Sequence, residues 1–178
     1  MIALMFRGRV HSLAMGKATH ERKHHVGNTQ SCSRRRHGAR LHLEQPECYC
    51  AGRFTITSSS FKDGERLATK MAGNNKQNPN CVGENVSPAL SWSNPPAGTK
   101  SYALIMYDPE GRGGLGVVHW VAYGIPASVT GFAEGDTSQQ VQKYVGGKST
   151  MNLPHYFGPC TPAGVPHHYT FTLIARLA

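Results

Sequence analysis

Ser101-Tyr102-Ala103-Leu104-Ile105-Met106-Tyr107-Asp108, closed at once by Pro109, is the stretch whose reading decides the fold. From Tyr102 to Tyr107 the side chains are almost all apolar, over too short a run for a buried helix and with several good β formers. That pattern predicts a central strand covered on both faces. Next comes Glu110-Gly111-Arg112-Gly113-Gly114-Leu115-Gly116, in which Gly111, Gly113 and Gly116 spell G-x-G-x-x-G. Such a pattern marks a dinucleotide site only where it opens a helix, whose N-terminal amides meet the pyrophosphate. Here it opens Val117–Ile125 (VVHWVAYGI), β-branched and aromatic and ended by Pro126. The glycines therefore read as a flexible loop between two antiparallel strands. Strict alternation along the second strand would put His119, Val121 and Tyr123 on one face, with Trp120 and Ala122 on the other.

Working outward, Phe54–Thr57 and Ala89–Trp92 read as further strands. The turn Asn94-Pro95-Pro96-Ala97-Gly98 leads back into Ser101. Leu67–Met71 is a short apolar stretch of ambiguous type. Gly73–Val86 reads as a long polar loop, Val129–Glu134 as an apolar link, and Gly135–Thr150 as a long surface loop. His167–Ala175 alternates strictly, with His167, Tyr169, Phe171 and Leu173 on one face. No amphipathic helix and no repeat is evident. Short strands between Gly/Pro turns predict a mainly β domain, an antiparallel sheet or sandwich.

The charge is unevenly placed. Of 19 Lys/Arg and 10 Asp/Glu, residues 1–53 hold ten and three, so +7 of the net +9 falls there. Six of the ten His fall there too. A segment this polar, with little apolar periodicity, cannot bury enough surface to offset chain entropy. Residues 1–53 thus read as a basic arm, disordered or non-native, and 54–178 as the domain. The arm leaves open a nucleic-acid-binding reading, but basicity away from a folded face argues against nucleic acid as a partner. No apolar run approaches the roughly 20 residues that span a bilayer. The start, Met1–Phe6 before Arg7, lacks the order of a secretory signal. As written the chain reads as cytoplasmic, or periplasmic if its true start differs. Cys81 and Cys160, the two cysteines of the domain, either pair in an oxidising compartment or remain free thiols in loops. Asn85-Val86-Ser87 matches the glycosylation pattern but is followed by Pro88 and carries little weight.

Asp108, His119 and His167 each lie in or at the end of an apolar strand, where an ionisable group is costly unless paired. A carboxylate bound to one imidazole nitrogen fixes the tautomer and leaves the other nitrogen for a ligand. Two such imidazoles, the backbone amide of Gly158 and the hydroxyl of Tyr169 would suit a phosphate or carboxylate, with Pro159 stiffening the loop behind. Taken singly, each of these residues has a plainer reading as a satisfied core residue or a strand-end turn. A zinc triad of the same residues, or a Cys160 nucleophile activated by His167, are the enzymatic alternatives. No catalytic motif supports them, and neither a metal nor any cofactor is expected.

Several stretches, in this order, resemble the phosphatidylethanolamine-binding protein family, in its bacterial Raf-kinase-inhibitor-like branch. They are Asn85–Trp92 (NVSPALSW), Tyr107-Asp108-Pro109-Glu110, Val118-His119-Trp120-Val121, Gly158-Pro159-Cys160-Thr161-Pro162 and His167-His168-Tyr169-Thr170-Phe171. The resemblance spans roughly residues 54–175. It implies a mainly β fold with a small pocket for phosphate-like anions, phospholipid headgroups among them. It places Asp108, Pro109, His119, Gly158, Pro159, His167 and Tyr169 at that pocket. It also implies a binding or regulatory protein rather than an enzyme, with a kinase as a possible protein partner. Inhibition of a protease or other hydrolase through the rim loops is the alternative. Family chains continue past the position of Ala178 with a helix-containing segment and a last strand. The chain is therefore expected to be truncated, with an exposed sheet edge and low stability.

Overall fold

The computed structural model describes residues 9–13, 52–164 and 166–177. The chain divides into two units. One comprises Met1–Met15 with Gly52–Ala178, and the other, Gly16–Ala51, lies outside the described residues.

Among the described residues, eight strands form two sheets. They are β1 (Arg9–Leu13), β2 (Thr55–Thr57), β3 (Leu90–Ser93), β4 (Ser101–Asp108), β5 (Val117–Pro126), β6 (Gly131–Phe132), β7 (Val145–Gly146) and β8 (Thr170–Arg176). The larger sheet runs β1-β8-β4-β5-β7 and the smaller β2-β3-β6. Every pairing is antiparallel except that of β1 with β8. A 3-10 turn at Thr69–Met71 resolves the ambiguous stretch at Leu67–Met71.

The deciding strand is central, flanked by β5 and β8. It is not covered equally on both faces, as its apolar run suggested. Tyr102, Leu104 and Met106 are fully buried, whereas Ala103 and Ile105 are half-buried and Tyr107 is exposed. One face of the large sheet thus meets the core. There Trp92 and Phe132 of the small sheet pack on Tyr102 and Trp120 of the large one, at centroid distances from 5.5 to 5.9 Å. These edge-on and tilted aromatic contacts join the two layers. Phe171, Leu173 and Ala175 of β8 line the same core, as their alternation predicts.

Two strands escaped the sequence pattern. The link at Val129–Glu134 contains β6, which pairs with β3, and the loop at Gly135–Thr150 contains β7, which pairs with β5. Each is two residues long, too short to show a period. β1 falls within the stretch read as an arm. Its backbone pairs with β8 from Arg9↔Thr172 to Leu13↔Arg176, so that edge of β8 is occupied. Such pairing uses main-chain groups that composition does not report. The rest of residues 1–51 lies outside the described residues.

The glycine loop opens no true helix. Gly111–Gly114 makes a single helical turn in which Arg112 (φ 55°) and Gly113 (φ 68°) are left-handed, and β5 follows directly. The turn and the strand ends around it position the site.

Candidate functional site

β4 ends in Asp108, only 2% exposed, and its carboxylate accepts three hydrogen bonds. Oδ1 accepts from the backbone amides of Glu110 and Gly111, both at 2.9 Å, which folds the chain back at Pro109. Oδ2 accepts from His167 Nδ1 at 2.8 Å. His167 lies just before β8, so the sheet register brings the two together. With Nδ1–H on the carboxylate, Nε2 is the nitrogen left for a ligand.

His119 reaches the site through a bulge. Met106 pairs with Trp120 and Tyr107 with Val118, which leaves His119 as the extra residue of β5. The strand therefore buries two consecutive side chains, His119 and Trp120, against the expected alternation. Its Nδ1 lies 2.9 Å from the Phe157 carbonyl, an acceptor only, so Nδ1 carries the proton. The expected bond from His119 to Asp108 is absent, because the bulge turns the ring towards Phe157. Burial pushes the His119 imidazole below its ordinary value, partly offset by the Phe157 bond and by the Asp108 charge. The ring is thus held neutral, with Nε2 as an acceptor. Tyr169 packs edge-on against it at 5.1 Å, and its hydroxyl lies 2.6 Å from Thr161 Oγ1. Burial raises the Tyr169 phenol, against the lowering effect of the Thr161 bond, and the nearby Asp108 carboxylate adds to the rise.

A second histidine–carboxylate pair stands beside the first. Glu110 accepts from His168 Nδ1 at 2.7 Å and from its backbone amide at 2.9 Å. Burial raises the Glu110 carboxyl, but these bonds outweigh it and hold the group below its ordinary value. The two pairs tie the Asp108–Gly111 turn to the segment entering β8.

Asp108, His119, His167 and Tyr169 all line one cleft of about 580 Å³. Three other predicted residues do not. Pro109 is exposed outside it, and Gly158 and Pro159 are buried behind it. The Gly158 amide is not aimed at a ligand, since it donates to Asn85 Oδ1 at 2.8 Å. A Cβ at Gly158 would drive into the Met71 carbonyl and the Ala72 backbone, so glycine is there for close approach of two loops. The Pro159 carbonyl accepts from the Gly73 amide at 2.8 Å in the same contact. Asn85 (φ 61°) is 7% exposed, and its Nδ2 donates to the Tyr156 carbonyl. Its side chain is a loop anchor rather than a glycosylation acceptor.

Cys81 and Cys160 form a disulfide with Cα atoms 4.4 Å apart, and both line the cleft. Cys160 is therefore no free nucleophile. Among the described residues, no group of three or more His, Cys, Asp or Glu is arranged to hold a metal ion. Sequence reasoning missed Thr161, Arg112 and Glu110 of the lining, together with Asn75, Asn78 and Asn80. The last three carried a signal, their closely spaced repetition before Cys81.

The family model for phosphatidylethanolamine-binding protein matches residues 57–177. The UPF0098 protein YbcL of Escherichia coli is 37% identical over 130 residues, which is 70% of this chain and 69% of that one. A putative lipoprotein, LppC of Mycobacterium tuberculosis, is 41% identical over 123 residues, and the chain spans about half (53%) of its length. The crystal structure of YbcL, described as a new member of the mammalian PEBP family, superposes with a TM-score of 0.62. It does so at 35% identity, over 68% of this chain and 76% of that one. With the family model matched over more than half of its length, the chain belongs to the phosphatidylethanolamine-binding protein family.

Proposed function

We propose that the cleft binds a small phosphate-like anion and performs no chemistry on it. The observation that carries this is the Asp108–His167 pair, 2.8 Å apart, beside a neutral, buried His119 in one cleft. With both ring nitrogens of His167 protonated, Nδ1 against Asp108 and Nε2 against the anion, Nε2 donates, and the Tyr169 hydroxyl is a second donor. His119 Nε2 accepts the hydroxyl of a singly protonated phosphate, or takes up a proton when a dianion binds. Among the described residues, both cysteines of the cleft are bonded to each other and the Asp108 carboxylate accepts three hydrogen bonds, so neither is an activated nucleophile.

Calorimetric titration with O-phosphoethanolamine tests the reading. His167→Ala removes a charge-assisted donor worth about 1.5–3 kcal/mol, so affinity is expected to fall roughly 10- to 100-fold. Affinity unchanged in a folded His167→Ala variant would refute the site.

The Cys81–Cys160 bond further supports maturation in an oxidising compartment, in keeping with a relative named as a putative lipoprotein. Thiol alkylation of denatured, unreduced protein from its native source should spare both cysteines. Labelling of either contradicts an oxidising location.

A second reading, contact with a kinase or protease through the rim, is favoured by Leu115 and Val82. These are 79% and 59% exposed, on the two loops that flank the cleft. Leu115→Asp should abolish any such inhibition without changing anion affinity. Inhibition that persists in that variant would exclude Leu115 as the contact.

A further inference from the structure

The cleft is larger than a lone anion needs. At about 580 Å³ it falls within the range that encloses a small organic ligand, roughly 300–1,000 Å³. Its burial is graded: Asp108, His119 and Tyr169 are at most 5% exposed, while Asn75 and Arg112 at the rim are exposed. The rim carries the amides of Asn75 and Asn78 and the Arg112 guanidinium, with the Glu110 carboxylate of the same lining held by His168. Asn75 and Asn78 open two successive turns, with the Asn78 amide on the Asn75 carbonyl and the Cys81 amide on the Asn78 carbonyl. In each turn the asparagine Oδ1 is taken by a backbone amide two residues on, Gln77 for Asn75 and Asn80 for Asn78, both at 3.0 Å. Their acceptors are used, and among the described residues neither Nδ2 has a partner. The disulfide at Cys81 holds this wall beside the floor.

Arg112, also in the lining, sits at φ 55°, ψ 39°. A left-handed L-residue costs roughly 1–2 kcal/mol, and the next two positions are glycine, which adopts that conformation freely. Arginine therefore stands where the backbone favours glycine. Among the described residues its guanidinium pairs with no carboxylate. Glu110, the acidic group nearest in sequence, is held by His168.

We infer that Arg112 and the Nδ2 groups of Asn75 and Asn78 form an outer subsite, made only of donors, for a second anionic group on the ligand. This rests on the anion-binding reading of the floor and deepens it. The ligand is then a phosphate monoester carrying a carboxylate, with the phosphate on the floor and the carboxylate at the rim. Arg112 sets the preference for the second group, and the bidentate geometry of guanidinium suits a carboxylate.

Two probes that differ only in a carboxylate, O-phosphoserine and O-phosphoethanolamine, separate the claims by calorimetry. The wild-type protein should bind O-phosphoserine about tenfold more tightly, a difference of about 1.4 kcal/mol. Arg112→Gly suits the left-handed backbone, so it should fold with an unchanged or higher Tm. It should remove the preference, lowering O-phosphoserine affinity more than O-phosphoethanolamine affinity until the two are equal. Asn75→Ala with Asn78→Ser should reduce the preference in part. Equal binding of both probes by wild type, or an undiminished preference in Arg112→Gly, overturns the outer subsite and leaves the floor standing. Failure of both probes to bind wild type overturns the floor and the subsite together.

Discussion

The buried imidazole of His119 ties folding to pH with a definite sign. Burial lowers its pKa below the ordinary 6.5, so as pH falls the unfolded chain takes up the proton first. Stability should be fully present above about 6.5 and decline as pH drops through the folded value, with a limiting slope of about 1.4 kcal/mol per pH unit. Urea unfolding across this range checks it, and His119→Gln should flatten the slope. The lowered carboxyls of Glu110, Glu134 and Asp136 act in a separate window, at and below their ordinary 4.5 and 3.8. A decline unaltered in His119→Gln would assign the effect elsewhere. That His119 belonged with Asp108 and His167 was legible from polar residues set in apolar strands. Its partner was not, because the Phe157 contact depends on a bulge created by the pairing of β4 with β5.

The elements that shape the cleft are loops held by main-chain contacts. Gly158 and Pro159 stood out in the sequence as loop residues near the site. Their structural task, pressing against Met71–Gly73, was invisible because those partners lie more than 80 residues away. Gly158→Ala should therefore cost about 1–3 kcal/mol through forced overpacking. Asn85→Ala should cost a similar amount, since it leaves the buried Gly158 amide and Tyr156 carbonyl unpaired. Chemical denaturation measures both, and a Gly158→Ala protein as stable as wild type would deny the close approach. Among the strands, β4 and β8 were legible because an apolar run and an alternation reach seven or eight residues. β6 and β7, two residues each, exist only through their partners.

At the scale of the molecule, the Cys81–Cys160 bond closes a separation of 79 residues and joins the asparagine wall to the Gly158–Thr161 loop. The chain-entropy treatment of such a loop gives about 4–5 kcal/mol of stabilisation. Reduction, or replacement of both cysteines by serine, should lower stability by an amount of that order in a denaturation curve. No change on reduction would mean the link is not formed in solution. The sequence left its pairing open, because cysteine spacing does not report distance in space. Anion binding at the floor of the cleft is the property on which the other functional expectations depend. Calorimetric titration of O-phosphoethanolamine into wild-type and His167→Ala protein, on either side of the ordinary histidine value of about 6.5, is its most direct test. Wild-type binding should strengthen and take up protons as pH falls, with a roughly 10- to 100-fold loss of affinity in His167→Ala protein that is still folded at the temperature of the titration. Wild-type binding without pH dependence, together with full affinity in the folded variant, would contradict it.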